Sequence, residues 1–225
     1  MKKILAATIL AGAMAATSVW AIPASGTVYI THEPGYYGAE RGELTVTSAD
    51  PDQAFSFQTF CVERNEYHSS DPNYIYNYQI NPDDAAVAGG FGGQDEHGHD
   101  PISLGTAYLF SMFTKGTLSG YDYVPGSGRE SDAQILQTAI WWLEDEIDLR
   151  SPAANAFLGL LWSEKEDWDY WKADANGEYG VKVLNITYSS GGNAQDVLQV
   201  PDGGLTLAFL GMGLAGLAGM RRIRK

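Results

Sequence analysis

Cysteine is almost missing from this chain: Cys61 stands alone among 225 residues. An exported protein usually pairs its cysteines or has none, so a single one is a buried thiol, a reactive thiol or half of an intermolecular bridge. Basic residues are scarce as well. Residues 22–204 hold all 28 Asp and Glu but only eight of the 14 Lys and Arg, a net charge of −20. That charge argues against nucleic acid or an anionic membrane as partner and suits a secreted surface protein. A nucleophile elbow is absent too: Gly126-Ser127-Gly128 lacks the required spacing and no convincing base follows it, which counts against a hydrolase.

Long apolar runs are few, and the two that stand out read as addresses. Residues 1–21 have the pattern of a signal peptide: Lys2 and Lys3, an apolar run over 4–16, then Val19-Trp20-Ala21 before a cut between Ala21 and Ile22. The second run, residues 205–220, follows Val200-Pro201-Asp202-Gly203-Gly204 and precedes Arg221, Arg222, Arg224 and Lys225. Sixteen helical residues span about 24 Å, short of the ~30 Å hydrocarbon core, and the basic cluster favours the cytoplasmic side. This tripartite tail resembles the VPDSG/VPEP class of C-terminal sorting signals processed by exosortases in Gram-negative bacteria. The resemblance implies an exosortase-like membrane protease or transpeptidase as partner. It also implies transient residence in the inner membrane through the C-terminal helix, then release to the cell surface or an extracellular matrix. Gly203 stands where Ser is commoner.

Between the addresses, residues 22–188 read as one domain and 189–199 as a linker to the sorting signal at 200–225. Segments 27–31, 43–47, 54–63 and 74–78 alternate or are rich in β-branched and aromatic residues, the pattern of strands. Turn clusters at Glu33-Pro34-Gly35 and Ala49-Asp50-Pro51-Asp52 separate them. Helical spacing follows over 103–115, then in a helix capped by Ser131 or Asp132 with a stripe of Leu136, Ala139, Ile140, Leu143 and Ile147. A third helix is expected from Pro152, and a last strand over 180–188. The fold expected is α+β: a β-rich barrel or sandwich half with a helical lobe, plus the signal peptide and a transmembrane sorting helix.

Histidines 97 and 99 among the acids of residues 94–100 are ligand types for zinc, but no distant third ligand accompanies them. The stretch from Asp95 to Asp100 therefore reads as a solvated loop, and neither a metal nor a cofactor is expected. Asp174-Ala175-Asn176-Gly177-Glu178 lacks the terminal acids of a calcium loop and reads as a turn.

The remaining motifs concern Cys61 and Gln137, 76 residues apart. Phe60-Cys61-Val62 followed by Gln137-x-Ala139-Ile140-Trp141 resembles the thioester domains of surface adhesins over roughly residues 55–145. Leu136 stands where that family usually has Thr. The resemblance implies that the Cys61 sulfur condenses with the Gln137 side-chain carbonyl, leaving an internal thioester that acylates an amine or hydroxyl on an unidentified surface target. Phe60 and Trp141 would shelter the bond from water, and Glu63 or Glu144 would help move the proton. Such a protein reacts once and is not a turnover enzyme; its role would be adhesion at a surface or in a biofilm. A structural matrix protein with an inert, free Cys61 is the alternative.

Overall fold

Residues that alternate apolar and polar side chains build most of the strands, and the helices supply a second apolar layer. The structure is a computed structural model that describes residues 22–38, 41–69, 71–81, 85–87 and 98–200. The expected signal peptide through Ala21, residues 88–97 and the sorting segment from Pro201 onward lie outside the described residues.

In chain order the strands are β1 (Ser25–Thr31), β2 (Leu44–Ser48), β3 (Ser56–Thr59), β4 (Tyr76–Ile80), β5 (Ala85–Val87) and β6 (His99–Pro101). The helices α1 (Leu104–Thr114), α2 (Ser127–Leu143), α3 (Ala156–Glu164) and α4 (Trp168–Trp171) follow, then β7 (Lys182–Tyr188) and β8 (Asn193–Gln199). Six strands form one antiparallel sheet in the order β3-β2-β1-β4-β7-β8, while β5 and β6 pair separately. The sheet curls into a half barrel, so the expected α+β class holds in the barrel-like form.

Two apolar clusters fill the molecule. Val28, Ile30, Leu44, Val46, Tyr76, Tyr78, Leu184 and Ile186 pack inside the sheet. The helical lobe packs Leu109, Phe110, Leu136, Ile140, Leu143, Phe157 and Leu158 among others. Residues just past β3 divide between the two, because successive strand side chains point to opposite faces. Phe60 and Val62 enter the helical cluster, and Cys61 enters the sheet interior.

Three expectations are corrected. Residues 193–199 are not linker: they form β8, buried from Ala194 to Gln199 and paired with β7. Their polar composition hides a strand covered on both faces, where Asp196 accepts from the Ile186 N–H (2.6 Å) and Gln195 donates to the Glu63 carbonyl (3.0 Å). Helix α2 starts at Ser127 rather than at a Ser131 or Asp132 cap, because tertiary contacts hold its first turn. Gly35, at φ +84° with Gly126 N only 2.9 Å from where a Cβ would sit, donates its N–H to Glu130 Oε1 (2.9 Å). The third helix is preceded by a 3-10 turn at Pro152–Ala154 and starts at Ala156, capped by Asn155, whose Oδ1 accepts from the N–H of Phe157 (3.0 Å) and Leu158 (3.3 Å). Among the described residues no helix is long and apolar enough to cross a membrane.

Candidate functional site

Cys61 lies where the chain leaves β3 and crosses to the opposite edge of the sheet. Leu198 N–H donates to the Phe60 carbonyl (3.1 Å) and Val62 N–H to the Asp196 carbonyl (3.0 Å), so Cys61 sits opposite Val197. In an antiparallel ladder the backbone groups of alternate residues point to opposite sides. Those of Phe60 and Val62 meet β8, and those of Cys61 point away from it.

Gln137 satisfies them. Its Oε1 accepts from Cys61 N–H (2.9 Å) and its Nε2 donates to the Cys61 carbonyl (2.8 Å). The carboxamide thus replaces one residue of a missing strand. Gln137 is fully buried and Cys61 is 5% exposed, so neither hydrogen bond competes with solvent. The helix explains the aim: Gln137 and Trp141 are four residues apart on one face, and Trp141 joins Cys61 in the sheet interior. Arg41 lies over the Trp141 ring at 5.6 Å. Ala139 and Ile140 face the helical cluster instead. Phe60 is there too, edge-on to Phe113 at 5.0 Å. Cys61, Gln137 and Trp141 therefore converge, while Phe60, Ala139 and Ile140 fix the strand and helix from behind. Of the terminal motifs, Ile22 packs partly buried against the sheet cluster and Val200 against the helical one; Ala21, Pro201, Asp202, Gly203 and Gly204 lie outside the described residues.

Burial pushes the Cys61 thiol well up, and the neighbouring Glu63 raises it further. Glu63 is itself pushed up to about 11, first by burial. A carboxyl that holds its proton so tightly does not serve as a base, and its charge would oppose a thiolate. Glu144 is committed elsewhere: its Oε1 accepts from Ser103 Oγ (2.8 Å) and Ser103 N–H (3.2 Å) at the start of α1. Neither fits the proton-moving role expected for it. A row of rings that no motif announces packs, through Tyr37, against the same cluster as Cys61. Tyr37, raised by burial and then by Cys61, stacks on His32 at 3.7 Å. His32 meets His68 nitrogen to nitrogen at 2.6 Å, and His68 Nδ1 lies 3.0 Å from Gln195 Oε1. Burial, then His68, lowers His32 to about 4, so the imidazole is neutral near pH 7.

A second group of polar residues surrounds Glu63. Carboxylate oxygens of Glu63, Glu66 and Asp196 come within 4.8 Å of one another. Glu63 is 0% exposed, and neither of its oxygens has a hydrogen-bond donor. Glu63 and Glu66 are three residues apart, but Asp196 comes from the strand read as linker, so no spacing in the chain announces the three. On the far side of α2 a buried acid is treated differently. Arg129 Nε and Nη2 donate to Glu43 at 2.8 and 2.5 Å, and Tyr121 Oη donates to it at 2.7 Å.

Comparison of the chain with curated proteins and with solved structures gives no match. One family model does match, the VPDSG-CTERM motif, over residues 199–224. It spans the Val200–Gly204 motif together with the apolar run and the Arg-rich end. The chain therefore carries a VPDSG-CTERM sorting signal, which indicates a protein exported and sorted by an exosortase-like system to the surface or the extracellular space.

Proposed function

We propose that the exported domain carries an internal thioester between Cys61 and Gln137 and uses it to attach covalently to amines or hydroxyls at a cell surface or in a biofilm matrix. One observation carries the reading: the side-chain amide of Gln137 is clamped by both backbone groups of the chain's single cysteine, in a buried setting. A primary amide is a poor electrophile and needs a thiol kept in place and water kept out. Cys61 N–H on Oε1 polarises the carbonyl and would support negative charge on that oxygen, as an oxyanion-hole donor does.

The balance is simple. Sulfur attacks Gln137 Cδ, the C–N bond breaks, and the departing nitrogen leaves as ammonia with the thiol proton. A target amine or hydroxyl then takes the acyl group and Cys61 leaves as the thiol. The covalent product does not depend on non-covalent affinity limits. Each molecule reacts once, so no turnover is expected.

The same two hydrogen bonds favour a second reading, a passive matrix protein in which Gln137 merely completes the backbone pairing of an inert Cys61. Intact masses of the purified full chain and of Cys61→Ala, with and without methylamine, separate the two. The thioester predicts a wild-type mass low by one ammonia, and methylamine addition that the variant does not show. A full mass, with a thiol reagent labelling Cys61 after unfolding, leaves the passive protein.

A further inference from the structure

The acidic group beside Cys61 is a buried site for which the described residues show no counter-charge. Glu63 and Glu66 lie on the segment that follows Cys61, and Asp196 lies on β8, with their carboxylate oxygens within 4.8 Å of one another. Crowding of acids alone is common. What marks this group is that its central member is 0% exposed and has no donor on either oxygen. A further acid from a different element behaves the same way: Asp100 on β6, 3% exposed, has no donor on Oδ2 and acts electrostatically on Glu63. Glu66 Oε2 is likewise without a donor. After burial, the groups acting on Glu63 are all acidic: Glu66, first through carboxyl–carboxyl contact and then by charge, with Asp196 and Asp100 acting by charge. Burying a carboxylate without a hydrogen bond or a positive partner is strongly unfavourable, and native proteins resolve it with a shared proton or a bound cation.

Geometry and chemistry choose between the two. Asp196 is already oriented, with Oδ1 accepting from Ile186 N–H (2.6 Å) and Oδ2 from Val87 N–H (3.3 Å), which leaves its outer lone pairs to face the other acids. Three converging carboxylates with no imidazole or thiolate among them are a hard, all-oxygen donor set. His68, the nearby imidazole, is bonded to His32 and Gln195. Glu66 is only half-buried and leaves a way in from solvent. We propose that Glu63, Glu66 and Asp196 form a calcium site that pins the segment after Cys61 to β8. Water completes the coordination, and an affinity in the micromolar-to-millimolar range suits an exported protein in calcium-containing surroundings. Arg64 N–H, between the two glutamates, already donates to Glu146 Oε2 (2.8 Å), so calcium would fix the one remaining side of this segment. This site is independent of whether the thioester forms.

The test uses the full chain, purified in mild detergent and stripped with EDTA. CaCl2 at about 100 times its Kd should raise the Tm by roughly 5–10 °C, and MgCl2 at the same ionic strength should raise it much less. E63Q should lose the calcium-dependent rise. E66Q, at a half-exposed position that tolerates change, should keep the wild-type far-UV circular dichroism and bind calcium at least tenfold more weakly by titration calorimetry. The proposal is overturned by no calcium-dependent rise in the wild type, by an equal rise with magnesium, or by an unchanged rise in E63Q. A wild type stabilised only by acid, with no calcium effect, would show that Glu63 and Glu66 share a proton instead.

Discussion

Glu43 and Glu63 are both wholly buried, and the molecule treats them in opposite ways. Glu43 receives a two-pronged guanidinium from Arg129 and a hydroxyl from Tyr121. Arg129 is itself held by the Tyr123 carbonyl (2.6 Å) and lies over the Tyr36 ring at 4.1 Å. Glu63 receives no donor and faces other acids. The difference teaches where each charge is meant to find its partner. Around Glu43 the chain supplies the cation, and the result is a fixed strut between β2 and the first turn of α2. Around Glu63 the described residues supply acids, and the proposed partner comes from solution.

The largest effect expected from breaking this contrast is at Arg129. R129M leaves Glu43 buried and unpaired and should cost about 3–5 kcal/mol, read as a lower urea midpoint; E43Q/R129M should recover most of it. A double variant as unstable as the single one would show that the strut acts through packing rather than charge.

Gln137 is the uncharged counterpart, a buried polar group fully satisfied by backbone. Q137L strands the N–H and carbonyl of Cys61 and should cost about 2–4 kcal/mol, whereas C61A keeps both bonds and should cost about 1 kcal/mol. Equal losses by chemical denaturation would make the side chain of Cys61, not the clamp, the source of the stability.

At Glu63 the sign should reverse. With chelator present at neutral pH, E63Q should stabilise the chain by roughly 1–2 kcal/mol, since it replaces a carboxyl that the fold forces to keep its proton by a neutral amide of the same size. A loss of stability in chelator would mean that Glu63 has a partner after all.

The last effect is in the pH profile, again with chelator present. Burial and neighbouring acids raise Glu63 from 4.5 to about 11, Asp100 from 3.8 to about 8 and Glu144 from 4.5 to about 7. Folding then takes up protons, so the stability these groups contribute is complete below about pH 4 and is lost as pH rises towards their folded values. The Tm should fall from pH 5 to pH 8, more gently in E63Q. A Tm that climbs over that range would contradict the assignment.

Much of the frame was legible because local patterns carried it. Alternating residues located β1, β2 and β4 to within two residues, and the stripe from Leu136 to Leu143 located the buried face of α2. The pairing of Cys61 with Gln137 came from two short motifs, and the side chain of one does reach the backbone of the other. Boundaries set by tertiary contacts were not legible. The first turn of α2 depends on Glu43 and Gly35, which lie nearly a hundred residues earlier. Asn193-Ala194-Gln195-Asp196 looks like linker because its polar side chains find partners only in other strands and in the segment after Cys61. The acids around Glu63 were hidden for the same reason, since one of them sits on that strand.

By itself the sequence determined the sorting signal, the lone thiol and the acidic balance, because these are properties of composition and short spacing that no fold can alter. It also determined a β-rich first half, a helical stretch after it and a strand that follows the helices, since periodicity of two or of 3.6 is written locally. Only the tertiary structure decided that the sheet edges meet at Cys61, that the amide of Gln137 fills the gap in the ladder, and that Glu63, Glu66 and Asp196 share one buried space. Each of these joins residues far apart in the chain. Burial then gives them their chemistry, since a carboxylate or thiol removed from water is governed by what lies beside it.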